Sequence, residues 1–353
     1  MANMAQAIRM ALHYAEENLG VTDIFGEDVG PPLGGAFTAT QGLKTAWNSP
    51  LDERGIVGTA IGMALAGQRP VAEIQFCDYI YNTIDLLKLA GNACWSSNGD
   101  WNLPMVVMTI VGSGIRGSVY HSHSFDATMT HIPGWFIVMP STPLDAYGLM
   151  VSACKQDNPV MYLPPKALLR TRGEELIPGE PGDDKQLSKL IDAPPPPADR
   201  SKWTPQWPAL TGYEVPLGKA KVVREGTDLT VVSYGRTLPL CRKVADAAAE
   251  EGISAEVIDL RTLWPYDWDA IRASVAKTGK VLYVNEDTEV TNFGEHLIRR
   301  TVSELFYQLL APPQLLAGKF LPGIGLADPL EMASVPQPPD IAKAIRELHA
   351  MEP

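Results

Sequence analysis

Cysteine, basic clusters and long apolar runs are all scarce in this chain of 353 residues, and each scarcity excludes something. The four cysteines (Cys77, Cys94, Cys154 and Cys241) lie far apart and form no C-x-x-C pair. Neither a disulfide framework nor a zinc ribbon is expected from them, and a reducing compartment fits. No apolar run reaches the length that spans a bilayer, so no membrane partner is expected. No block of Lys and Arg interrupts a net charge of −12. An acidic surface repels phosphate backbones, so nucleic acid is not an expected partner. Neither G-x-G-x-x-G nor G-x-x-x-x-G-K-[ST] occurs, which leaves no nucleotide fingerprint and no P-loop to claim. A short-period repeat is missing as well.

What is present is a large α/β pattern, long enough for two domains. Ile8, Leu12, Ala15 and Leu19 share one face of an N-terminal helix stopped at Gly20, and Glu16 and Glu17 sit within it. That reads as a structural helix and not as a signal peptide, with the cytoplasm as the expected location. Strands are expected at V-T-D-I-F, Val71–Phe76, Met105–Val111, Phe136–Met139 and Val160–Leu163. Helices are expected over Tyr79–Ser96 and Leu144 to about Lys155. Strands alternating with helices predict a parallel sheet covered on both faces. A second α/β unit follows, with strands at Leu229–Tyr234, Ala255–Leu260 and Lys280–Val284. Its helices are expected at Leu238–Glu251, Asp267–Thr278, Gly294–Leu310 and Ile341–Ala350. Between the units, residues 171–214 are proline-rich without a periodic apolar pattern, a linker or surface excursion. Trp203 and Trp207 are too apolar to stay wet, so part of it should dock.

The stretch Asn48–Asp78 organises the rest. From Ile56 to Ala66 nearly every side chain is apolar or glycine, which predicts a helix buried all round, in a core or between subunits. Glu53 stands at its mouth, where desolvation would raise a carboxyl pKa; it also reads as a first-turn acid favoured by the helix dipole. Glu27 and Asp28 follow a strand, where parallel sheets bind ligands, and either act there or cap the turn. G-S-G-I-R-G-S-V-Y-H-S-H-S-F-D reads as a mobile, ligand-facing loop carrying His121 and His123. Two histidines at i, i+2 lack the further ligands that zinc requires.

Several segments in order resemble the beta subunit of the thiamine-diphosphate-dependent 2-oxo acid dehydrogenase component, of pyruvate, branched-chain and acetoin type, within the transketolase-like superfamily. They are G-E-D-V (26–29), G-G-A-F-T-A-T-Q-G-L (34–43), S-P-L-D-E-R-G-I-V-G (49–58) and R-P-V-A-E-I-Q-F-C-D-Y (69–79). Y-H-S-H-S (120–124), H-I-P-G (131–134), P-S-T-P-L-D-A-Y-G-L (140–149) and E-V-I-D-L-R-T-L-W-P-Y-D (256–267) complete the set. The resemblance implies an α/β chain of two doubly wound domains. Residues 1–170 would be a thiamine-pyrimidine-binding-like parallel sheet and 215–353 a transketolase-C-like domain, with 171–214 as a Pro-rich excursion.

The resemblance also implies roles. Glu53 would contact the ring nitrogen of the aminopyrimidine of thiamine diphosphate, Tyr79 would pack on that ring, and Glu27 would lie near the cofactor. His121 would stand near the reactive carbon and assist protonation. Backbone carbonyls of Cys154, Gln156 and Asn158 match a stretch that holds a structural potassium ion in some members. The magnesium motif G-D-G is interrupted here by Trp101 in S-N-G-D-W-N, so an alpha subunit would supply magnesium and diphosphate ligands in an α2β2 heterotetramer. The implied reaction is decarboxylation of a 2-oxo acid and acyl transfer to the lipoyl groups of an acyltransferase core. L-P-P-K-A-L-L-R (163–170) leans towards the branched-chain members. His123 stands where the family has glutamine, and Asn292 in T-N-F-G where it has glycine, a place where asparagine can take a left-handed backbone. Two other readings stand beside this one, a split transketolase-like carboligase and a non-catalytic binding subunit. Arg116, the only basic residue of the glycine-rich loop, argues against sugar-phosphate binding.

Overall fold

The computed structural model describes residues 1–194 and 203–352, so the part of the proline-rich expectation at 195–202 lies outside the described residues. Two compact units emerge. The first joins Met1–Ile110, Ile132–Pro164 and Leu168–Leu217; the second joins Val111–His131, Pro165–Ala167 and Gly218–Pro353.

Strands of the first unit are β1 (Asp23–Gly26), β2 (Ala46–Asn48), β3 (Pro70–Ile74), β4 (Val106–Thr109), β5 (Phe136–Val138) and β6 (Val160–Tyr162). They run in the order β5-β6-β4-β3-β1-β2, with every neighbouring pair parallel. The V-A-E-I and V-V-M-T runs of β3 and β4 are buried at every position, as central parallel strands covered on both faces must be. Helix α1 (Met4–Asn18) starts at a capping box between Asn3 and Gln6. Short α2 (Gly35–Thr38), α3 (Glu53–Leu65), α4 (Ile84–Ser96) and, further along the chain, the helix Pro143–Lys155 cover the sheet.

Two expectations for this unit need correcting. The helix expected to begin at Tyr79 begins at Ile84, because Cys77–Thr83 winds as a tighter 3-10 segment. Within this one chain, Ile56, Val57, Ala60, Ile61 and Ala64 of α3 face the core, and Thr59, Gly62 and Leu65 form the outward face on which the expected burial between subunits would fall. The excursion is not free of regular structure, since Asp184–Ile191 is a helix capped by Asp183, with only Leu187 and Ile191 buried. Two apolar residues one turn apart are too few to register as a period. Trp207 does dock, stacking on His13 with ring centroids 4.1 Å apart.

In chain order the second unit opens with α5 (Asp126–Thr130); the Pro143–Lys155 and Asp184–Ile191 helices are α6 and α7. Its strands are β7 (Lys221–Arg224), β8 (Leu229–Ser233), β9 (Ala255–Asp259), short β10 (Thr262–Trp264), β11 (Val281–Thr288) and β12 (Gln314–Gly318). The order is β12-β11-β8-β9-β7, parallel except for β7 against β9. Helices α8 (Thr237–Glu250), α9 (Trp268–Thr278), α10 (Phe293–Leu305), α11 (Asp328–Ser334) and α12 (Pro338–Ala350) pack around it. Edge strands β7 and β12 and helix α11 had no expectation; edge strands are half-buried and carry a weaker apolar signal. Asn292 is not left-handed. Its backbone is extended at φ −64°, its side chain caps α10 by accepting from the Gly294 amide at 2.7 Å, and Thr291 takes the left-handed turn at φ 59°.

Candidate functional site

In a parallel sheet the carboxyl ends of adjacent strands form the ligand edge, because the connecting loops there are free of ladder pairing. The order β3-β1-β2 brings three such ends together, with Gly26 opposite both Asn48 and Glu73. Glu27 follows β1, Glu53 follows β2 through the turn S-P-L-D, and Phe76–Tyr79 follows β3. Gly26 permits the close approach: a Cβ there would lie 2.3 Å from the Glu73 carbonyl oxygen. Asp28 then turns the chain through a left-handed residue at φ 58°.

The charged groups at these strand ends act on one another. Burial, then the charges of Asp28 and Glu53, push the Glu27 carboxyl up. Tyr79 is pushed up by burial first and then by Asp78, Glu27 and Glu53. Glu27 and Glu53 are both half-buried in this chain, Glu53 as the first residue of α3. Asn82 Nδ2 donates to Glu53 Oε2 at 3.3 Å. Its carbonyl accepts from Arg54 Nη1 at 2.7 Å, and Arg54 is clamped on Asp85 by two bonds of 2.6 and 2.9 Å. This clamp keeps the Arg54 charge turned to Asp85, whose carboxyl is held at about 2. Phe76 stands edge-on to Tyr79 at 5.7 Å and to Phe37 at 6.1 Å, giving the ligand edge an aromatic wall. A carboxylate beside an aromatic wall suits a flat heterocycle with a basic ring nitrogen. Asn82 had no sequence signal, since a single asparagine in an aromatic segment looks like any turn residue.

His121 and His123 lie in the second unit, both half-buried. His121 Nδ1 lies 3.1 Å from the Gly117 carbonyl. A carbonyl only accepts, so Nδ1 carries the hydrogen and Nε2 is the basic nitrogen. The loop around them, expected to face a ligand, bonds acidic residues of its own unit through Ser113, Gly114 and Arg116. Arg116 is clamped on Asp328. His131 is the exposed residue that ends α5.

At the carbonyls with the potassium expectation, Arg69 Nη1 donates to Cys154 at 3.3 Å and to Gln156 at 3.0 Å. A guanidinium thus already brings positive charge to two of the three. Among the described residues, His13, Glu16 and Glu17 could converge on a metal. Glu16 Oε2, however, accepts from the Thr45 hydroxyl at 3.0 Å and the Lys44 amide at 3.1 Å, and Glu17 is paired with Lys44. Those bonds give the trio a structural task. Among the described residues, no helix is long and apolar enough to cross a membrane.

Residues 1–172 match the transketolase pyrimidine-binding domain and residues 218–341 the transketolase C-terminal domain. The chain is 36% identical to a 2-oxoisovalerate dehydrogenase subunit beta of Bacillus subtilis, covering 97% of each chain. It is 38% identical to the same subunit from Pseudomonas aeruginosa over 89% of this chain and 86% of that one. A pyruvate dehydrogenase E1 component subunit beta from Acholeplasma laidlawii is 35% identical, covering 99% and 98%. Among solved structures, a chain titled split gene transketolase, inactive beta4 tetramer, superposes with a TM-score of 0.72 at 17% identity, covering all of both chains. That last likeness concerns the fold alone.

Proposed function

This chain belongs to the family of 2-oxo acid dehydrogenase E1 beta subunits, and we propose that it forms, with an alpha subunit, a thiamine-diphosphate-dependent decarboxylase of a branched-chain 2-oxo acid. The observation that carries this reading is the meeting of Glu27, Glu53 and Tyr79 at the carboxyl ends of β1, β2 and β3. Bound there, thiamine diphosphate would supply the nucleophilic carbon and the electron sink for decarboxylation. Glu53 would share a proton between its carboxyl oxygen and the pyrimidine ring nitrogen, oriented by Asn82. Tyr79 and Phe76 would pack on the ring and exclude water from it. His121 Nε2 would give or take a proton as the acyl group passes to a lipoyl arm of an acyltransferase core.

An alpha subunit enters because the chain's own sequence interrupts G-D-G with Trp101, so magnesium and the diphosphate would be gripped by the partner in an α2β2 assembly. Potassium stays outside the proposal, since Arg69 already serves those carbonyls. A sugar-phosphate carboligase has less support, because Arg116 is engaged by Asp328.

Co-expression with the alpha subunit tests the reading. Glu53→Gln should lower 2-oxo acid turnover about 10²–10⁴-fold, the usual worth of an acid–base group. Thiamine diphosphate with magnesium should raise the melting temperature of the complex by mass action. Unchanged turnover in the variant would remove Glu53 from the chemistry.

A further inference from the structure

We propose that Glu331 is a positioning residue for His121, its carboxylate being an internal anion around which the glycine-rich loop is wound. The inference rests on the reading of His121 given above and adds the means by which that imidazole is held. Glu331 lies in α11, is 4% exposed, and has no part in the proposed chemistry.

The loop backbone is unusual. Gly112, Gly114, Arg116 and Ser118 all take left-handed φ values, of 86°, 97°, 58° and 61°. Arginine and serine resist that region, so something outside the loop must enforce it. Alternating handedness turns successive amide hydrogens towards one point and makes a concave anion site. Here the anion is the protein's own. The Gly114 amide donates to Glu331 Oε1 at 2.7 Å, and the Arg116 amide donates to Oε2 at 3.1 Å and to Oε1 at 3.3 Å. Arg116 Nη2 bonds Asp328 one helical turn earlier at 2.6 Å, so backbone and side chain of one residue are held by one short helix. Upstream, Glu286 accepts from the Ser113 amide and hydroxyl at 3.3 and 3.0 Å.

From this grip the geometry passes to the imidazole without a gap. Gly117 follows Arg116 directly, and its carbonyl accepts from His121 Nδ1. The turn is so tight that a Cβ on Gly117 would lie 2.4 Å from the His121 carbonyl oxygen and 2.8 Å from its Cβ. Releasing the Arg116 amide therefore moves the carbonyl that fixes the ring and its tautomer. A carboxylate is required because charged acceptors bind amides about twice as strongly as neutral ones.

The test uses the assembled complex with its alpha subunit. In Glu331→Ala, amides 112–118 should exchange with solvent about tenfold faster. Turnover should fall about 10²-fold, the cost of a misplacement near 1 Å. Formate should restore both in part by entering the vacated anion site, while sodium chloride at equal ionic strength should not. Glu331→Gln keeps the shape and should lie between, which serves if the alanine variant does not fold. Unchanged exchange at 112–118 in both variants overturns the proposal, and so does equal rescue by chloride. Normal turnover in His121→Ala, beside faster exchange in Glu331→Ala, would withdraw His121 from the reaction yet uphold the grip of Glu331 on the loop.

Discussion

Tyr234 donates its hydroxyl hydrogen to Asp126 Oδ2 across 2.7 Å, and the carboxyl that receives it is fully buried. Asp287 stands beside it and accepts from the Ala127 amide at 3.0 Å. Burial first, then the Asp287 charge, push the Asp126 carboxyl well above its ordinary value. Because the folded pKa lies above the unfolded one, the stabilising contribution is complete at acid pH below the unfolded value. It is lost as pH rises through the folded pKa. Asp126→Asn should flatten the decline of melting temperature as pH rises from the ordinary aspartate range, since an amide has no proton to lose. Parallel pH profiles for the two proteins would contradict this.

Glu53 contributes to raising Glu27, so removing its charge should let Glu27 ionise at lower pH. In Glu53→Gln the Glu27 carboxyl should therefore titrate at lower pH than in the parent chain. Carboxyl carbon NMR shifts followed against pH read the change, and an unmoved titration would contradict it.

Gly26 and Gly62 should respond oppositely to alanine. At Gly26 the new methyl would meet the Glu73 carbonyl, and overpacking of this kind costs about 1–3 kcal/mol. At Gly62, in the interior of α3, no atom of the described residues beyond its own helix backbone and chain neighbours lies within 4 Å of the added Cβ. Alanine there should stabilise the isolated chain by about 1 kcal/mol through helix propensity. Denaturant midpoints measure both signs. If that face of α3 meets another subunit, the same Gly62→Ala change should weaken assembly, seen by sedimentation.

Trp207 anchors the proline-rich segment through its stack on His13. Trp207→Ala should destabilise the chain by about 2 kcal/mol, as for a half-buried large aromatic. Proteolysis within 171–214 should accelerate in parallel. A cleavage rate equal to that of the parent chain would show that the stack does not hold the segment.

The sequence alone determined most strands and helices, since strand-length runs dominated by apolar residues, such as V-V-M-T and L-T-V-V-S, suit central parallel strands covered on both faces. It also offered Glu27, Glu53, Tyr79 and His121 as site candidates, Glu27 from its place after a strand and all four from the resemblance. Tertiary structure decided what depends on pairing across long stretches of chain. Strand order put the ends of β1, β2 and β3 side by side, and burial there raised the Glu27 carboxyl. The carboxylates of Glu331 and Glu286 reached the loop from more than 160 positions away along the chain. No local pattern encodes such a partner, because a buried carboxylate and a solvated one are spelled by the same letter until the chain closes around one of them.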